Sequence, residues 1–136
     1  MVRADVAPIL AKDFVLLKID QDRMTGGGDI LAAERTAVGV DSQGGIPWIA
    51  FCDASGTIMA HSDTVDPKDP KQRLTNIGFP SEDFEIAQFV AMLNASRANI
   101  TPADIEMLRK SLVDEHDKTE AARAKAKAAA GASGGQ

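Results

Sequence analysis

Hydrophobic positions fall into short runs separated by turn residues. Phe14-Val15-Leu16-Leu17-Lys18-Ile19-Asp20 is nearly all apolar and stops at a charge, which predicts a strand covered on both faces. Turn residues fill 22–28, and residues 29–38 then take a helical pattern in which Ile30, Ala33, Ala37 and Val38 share a face. Gly39 follows as a natural helix stop. A second apolar run predicts a strand over residues 48–52, turn chemistry follows at Asp53-Ala54-Ser55-Gly56, and residues 57–61 return as the other half of a hairpin.

Residues 62–80 hold three prolines and alternating charges without apolar periodicity, so they read as a polar loop. Helix signals then strengthen. Ser81 is a candidate cap, Glu82, Asp83 and Glu85 fill the first turn, and Phe84, Ala87, Val90 and Met92-Leu93 supply an apolar stripe. Thr101-Pro102-Ala103-Asp104 offers a cap, a proline at the first helical position and an acid at the third. Ile105, Leu108 and Leu112 recur at helical spacing, so this helix docks through its first three turns. From Thr119 the chain is alanine-rich with nothing to bury, and its Gly/Ser end is expected to be disordered. The expected organisation is a remnant of a helical region at 1–13, a core at 14–100, a docked helix at 101–118 and a tail at 119–136.

The junction before the second run narrows the reading. Gly44-Gly45-Ile46-Pro47-Trp48-Ile49-Ala50-Phe51-Cys52-Asp53-Ala54-Ser55-Gly56 places a proline at the mouth of an apolar strand, a position where a missing amide hydrogen costs little. The residues alone fit a trans proline that opens a strand as well as a cis one. Together with "FVLLKID" and the order strand, helix, Ile-Pro strand, return strand, helix, the stretch resembles the C-terminal two-thirds of the thioredoxin-like family over residues 14–93. That resemblance implies an α/β fold, an incomplete thioredoxin-like domain with a mixed sheet flanked by helices and a C-terminal helical extension. It also implies a cis Ile46–Pro47 bond in a loop that faces a catalytic cysteine pair, with Gly45, Ile46, Pro47 and Trp48 contacting a protein or peptide substrate.

The departures from that family are chemical. No Cys-x-x-Cys occurs; the one cysteine, Cys52, lies in the apolar strand and is expected to be an inert core thiol. Leu16 stands where the family often has a lysine, and Trp48 where a smaller residue is common after the proline. The family's cysteine-bearing strand would lie between the strands at 14–19 and 48–52. Its absence predicts either closure into a three-stranded sheet or a missing segment upstream of Met1. The expected function is thus a member of the thiol–disulfide oxidoreductase family, truncated and inactive as given. The alternatives are a non-redox interaction module that binds peptide by strand addition, and a structural domain of a longer exported protein. Unpaired strand edges predict self-association.

Composition changes this picture little. Of 136 residues 44 % are apolar and 26 % charged, which predicts a packed core, and the net charge is −5. No basic cluster with interleaved aromatics suggests nucleic acid as a partner. No early apolar stretch suggests a membrane span or signal peptide, so the chain reads as soluble, cytoplasmic if whole and exported if a leader lies upstream. No cofactor or metal is expected: His61 and His116 are isolated, and Asp63, Asp66 and Asp69 lack the glycine and closing glutamate of a calcium loop. Asp20 and Asp22 read as a strand-end cap, and Gly26-Gly27-Gly28 as a turn before a helix, without a phosphate-binding motif around it. Asn94-Ala95-Ser96 matches a glycosylation acceptor but falls within a predicted helix.

Overall fold

The computed structural model describes residues 4–133. In chain order the elements are α1 (Ala7–Leu10), α2 (Gly27–Ala37), β1 (Ala50–Cys52), β2 (Ile58–His61), β3 (Asp63–Val65), β4 (Leu74–Asn76), α3 (Asp83–Ser96) and α4 (Pro102–Ser133). The architecture is mixed α/β. Its sheets, however, are two antiparallel pairs, β1 with β2 and β3 with β4, where the sequence suggested one mixed sheet.

Packing centres on the two long helices. Ile86, Phe89, Met92 and Leu93 of α3 interlock with Ile105, Leu108 and Leu112 of α4, and Ile9 of α1 closes one end. Of the stripe expected on α3, Met92 and Leu93 are buried and Phe84 and Val90 half-buried, but Ala87 is exposed, and Ile86 and Phe89 are buried as well. On its other side α3 receives the β1–β2 hairpin. Phe51 makes an edge contact with Phe89 at 6.0 Å and stacks on Phe14 at 4.7 Å.

Local chemistry sets the helix starts. At α4 the Asp104 carboxylate accepts from the Thr101 amide and the Thr101 hydroxyl accepts from the Asp104 amide, a reciprocal cap. At α3 the cap is one residue later than Ser81: Glu82 is the N-cap, and the Glu85 carboxylate accepts from the amides of Ser81 and Glu82. Ser81 instead meets His116 Nδ1 at 3.0 Å, fastening α4 to the start of α3. Helix α2 starts at Gly27 because its N-terminus presses on the chain before it. A Cβ there would lie 2.3 Å from the Asp20 carbonyl oxygen. Gly39 ends that helical region with φ of 76°, a left-handed conformation that glycine adopts without penalty.

Three expectations are corrected. Residues 14–20 form no strand. They lie at the surface outside any helix or strand, with Val15, Leu16 and Leu17 largely exposed, because no neighbouring strand among the described residues meets them, and closure into a three-stranded sheet does not occur. The 62–80 stretch is no plain loop, since β3 and β4 pair in it with Asp63 opposite Asn76, Thr64 opposite Thr75 and Val65 opposite Leu74. Three of those six residues are β-branched, and that local preference outweighed the missing apolar period. Helix α2 presents Arg35, not the Ile30/Ala33/Ala37 stripe, to the interior.

Helix α4 continues unbroken through the alanine-rich stretch to Ser133, although residues 120–132 are all exposed. Alanine needs no packing to favour the helix. The terminal residues 134–136, part of the tail expected to be disordered, and residues 1–3 of the expected N-terminal remnant lie outside the described residues. At the opposite end, Asp13 ties the chain after α1 to the α3–α4 turn by accepting from the amides of Ala98, Asn99 and Ile100.

Candidate functional site

Residues 44–48 form a loop that three separate elements hold in place. From α2, Arg35 is 2 % exposed and its guanidinium forks onto the carbonyls of Gly44 and Gly45. From β4, Asn76 Nδ2 donates to the carbonyls of Gly45 and Pro47, both at 2.8 Å. Ser62, fully buried between β2 and β3, donates to Asn76 Oδ1 at 2.7 Å and accepts from the Ile49 amide at 2.9 Å. The Asn76 amide is therefore oriented by Ser62 and cannot turn away from the loop. Within the loop, the Ile46–Pro47 peptide is cis.

Trp48 is gripped on two sides. Its indole N–H donates to the Asp63 carboxylate, and the Arg35 guanidinium sits 5.6 Å from its ring centre. A positive group over the ring face and a negative one at the ring edge both match the indole's charge distribution. His61 stacks nearby at 6.2 Å. Trp48 is thus a half-buried prop beneath the loop, with its polar edge already engaged.

This network decides what the loop can offer to another molecule. The carbonyls of Gly44, Gly45 and Pro47 are all turned to internal donors. Ile46 differs: its side chain is 58 % exposed, and its amide and carbonyl form no hydrogen bond among the described residues. Of the four residues singled out in the sequence, Gly45, Ile46 and Pro47 are exposed and adjacent, Trp48 is half-buried behind them, and Ile46 combines an unengaged amide and carbonyl with an exposed apolar side chain.

The expectation for Cys52 is corrected. Its thiol is exposed at the end of β1, not in the core. Partial desolvation, helped by the negative charges of Glu34 and Asp53, pushes the thiol up from its ordinary value, so at neutral pH it stays protonated and is a poor nucleophile.

The remaining candidates have structural roles. Asp20 Oδ1 accepts from the amides of Asp22 and Arg23, as a turn cap. Asp63, Asp66 and Asp69 do not converge: Asp63 holds Trp48, Asp66 caps the Lys68 amide, and Asp69 caps Lys71 and pairs with Arg73 at 2.9 Å. Among the described residues no group of three potential ligands gathers for a metal ion, and no helix is long and apolar enough to cross a membrane.

Sequence reading missed Arg35, Ser62 and Asn76, which do most to hold the loop. An arginine between Glu34 and Thr36 and an asparagine in a polar stretch carry no local mark of burial. No family model matches the chain, and none of the curated proteins or solved structures compared with it matches either.

Proposed function

We propose that the chain is a thioredoxin-like domain that binds an extended protein segment at residues 45–48 and does not itself exchange disulfides. The observation that carries this reading is the division of labour around Ile46. Its flanking carbonyls are tied inward by Arg35 and Asn76, while its own amide and carbonyl form no hydrogen bond among the described residues and its side chain is exposed. An extended peptide pairs with such a residue by exchanging main-chain hydrogen bonds, and the rigid loop lowers the ordering cost of binding. Disulfide exchange needs an attacking thiolate and a resolving thiol. The sequence supplies one cysteine, and that thiol is held protonated.

Titration of the ¹⁵N-labelled protein with reduced, alkylated insulin B chain tests the reading. Shifts should concentrate on Ile46 and its neighbours, and Asn76→Ala should weaken binding about ten-fold, the equivalent of one lost positioning interaction of ~1.4 kcal/mol. A loop whose resonances stay still at about 1 mM peptide, far weaker than useful recognition, refutes it. Turnover of insulin disulfides with dithiothreitol above background, abolished by Cys52→Ser, would instead assign thiol–disulfide oxidoreductase activity.

A further inference from the structure

The elements around the 44–48 loop carry carboxylates but no lysine or arginine of their own. Residues 36–67 and 74–96 hold no basic side chain except His61, and these two stretches supply the loop, all four strands and α3. The cation that does reach the loop, Arg35, is buried and engaged with the carbonyls of Gly44 and Gly45. Lys68, Lys71 and Arg73 lie in the turn beyond Val65 and Leu74, at the end of the β3–β4 hairpin away from Asn76, and Arg73 is paired with Asp69.

Three carboxylates border the run from this loop into β1. Asp41 stands at its entrance, where its main-chain carbonyl accepts from the Gly44 amide and its side chain from the Gln43 amide at 2.8 Å. Glu34 and Asp53 stand at the other end, near enough to Cys52 that their charges add to partial desolvation in pushing its thiol up. None of the three has a cationic partner among the described residues. Between Asp41 and Asp53 in the chain lies Ile46, with its exposed side chain and unbonded amide and carbonyl.

We infer that the segment received at Ile46 is basic: an extended stretch with an aliphatic residue against Ile46 and lysine or arginine on both sides of it. The inference rests on the peptide-binding reading above and adds the class of partner to it. Main-chain bonding is blind to sequence, so selectivity comes from side chains. Ile46 takes any aliphatic contact, whereas carboxylates that no internal cation neutralises attract a positive segment and repel a negative one. An extended chain advances ~3.3 Å per residue, so residues two or three positions from its centre are carried about 7–10 Å toward the acidic ends. Charges screened over ~8 Å at physiological salt act at that range. Exposed ion pairs are individually weak, so the flanking cations together raise affinity about ten-fold over a neutral segment.

Three acetylated and amidated peptides test this when titrated into the ¹⁵N-labelled protein: Ser-Val-Ile-Val-Ser flanked at each end by paired lysines, paired glutamines or paired glutamates. The lysine peptide should bind about ten-fold tighter than the glutamine peptide, and the glutamate peptide more weakly than both. The gap should fall to about two-fold at about 0.5 M salt, where charges are screened over ~4 Å. Asp41→Asn keeps an oxygen for the Gln43 amide and should cut the lysine preference about two-fold. Glu120→Gln makes the same charge change on the exposed part of α4 and should leave the preference intact. Equal affinity of the lysine and glutamate peptides at Ile46, or an equal effect of the two variants, overturns the inference and leaves peptide binding at the loop standing. If no peptide moves the Ile46 amide, the peptide-binding reading fails and takes the inference with it. Shifts at Ile46 that follow protein concentration alone assign the edge to a second copy and overturn it too.

Discussion

Replacing Arg35 by methionine keeps the length and apolar volume of the side chain and removes its fork. Two charge-assisted hydrogen bonds to Gly44 and Gly45 are lost, each worth about 1.5–3 kcal/mol where the donor is ionised. The contact over Trp48 at 5.6 Å adds about 1 kcal/mol. Against this gross ~4–7 kcal/mol stands the desolvation of a buried guanidinium, several kcal/mol, which methionine avoids. Gly45 keeps the Asn76 amide as a donor, whereas the Gly44 carbonyl is left without one. The expected net loss is ~2–3 kcal/mol, a fall of about 1–2 M in the urea midpoint for a chain of this size. Trp48, the single tryptophan, reports the loop directly: its emission should shift to the red as the cover over its ring is removed. Arg35→Lys retains the charge but delivers it as a point, so it should recover about half of the loss. If Arg35→Met unfolds within ~0.5 kcal/mol of the parent, the range of an ordinary surface change, with unaltered Trp48 emission, the guanidinium does not hold the loop.

Other perturbations probe separate links of the chain. Leu108, 1 % exposed between α3 and α4, should cost ~2–5 kcal/mol as Leu108→Ala, while its exposed neighbour Met107→Ala stays within ~0.5 kcal/mol; equal effects in denaturant titrations would place the core elsewhere. At the Asp13 carboxyl, partial desolvation pushes the pKa up, but the amides of Ile100, Ala98 and Asn99 and the Asn99 side chain outweigh it and hold the group at about 2. Its folded value lies below the ordinary ~3.9, so its contribution is complete above about pH 4 and fades as pH falls through about 2. Asp13→Asn should flatten stability against pH in that window, and an unchanged acid limb would show that the clamp carries no linkage. Gly27→Ala drives a methyl into the Asp20 carbonyl and should destabilise by ~1–3 kcal/mol. Gly28→Ala, whose Cβ would meet nothing closer than 3.7 Å, should stabilise α2 by ~0.4–1 kcal/mol; thermal melts that fail to separate the two contradict the close approach at Gly27.

What the sequence determined by itself is what neighbours along the chain can decide. The Thr101/Asp104 cap, the spacing of Ile105, Leu108 and Leu112, and the Asp53 turn joining β1 to β2 were all legible. Each rests on contacts within a few residues, as when Asp53 Oδ1 accepts from the amides of Ser55 and Thr57. The cis geometry at Ile46–Pro47 was implied by family resemblance. Tertiary structure alone decided the rest. Arg35 reads as an ordinary helix-surface residue until the 44–48 loop supplies carbonyls for it, and Asn76 becomes a clamp only because β4 brings it back to Gly45, 31 residues away in sequence. Residues 14–20 show the converse: their pattern specifies a covered strand, yet a strand is completed by a partner's backbone, and among the described residues none arrives. Propensity acts over one or two turns of chain, whereas burial, pairing and charge neutralisation are settled by whatever the fold places alongside.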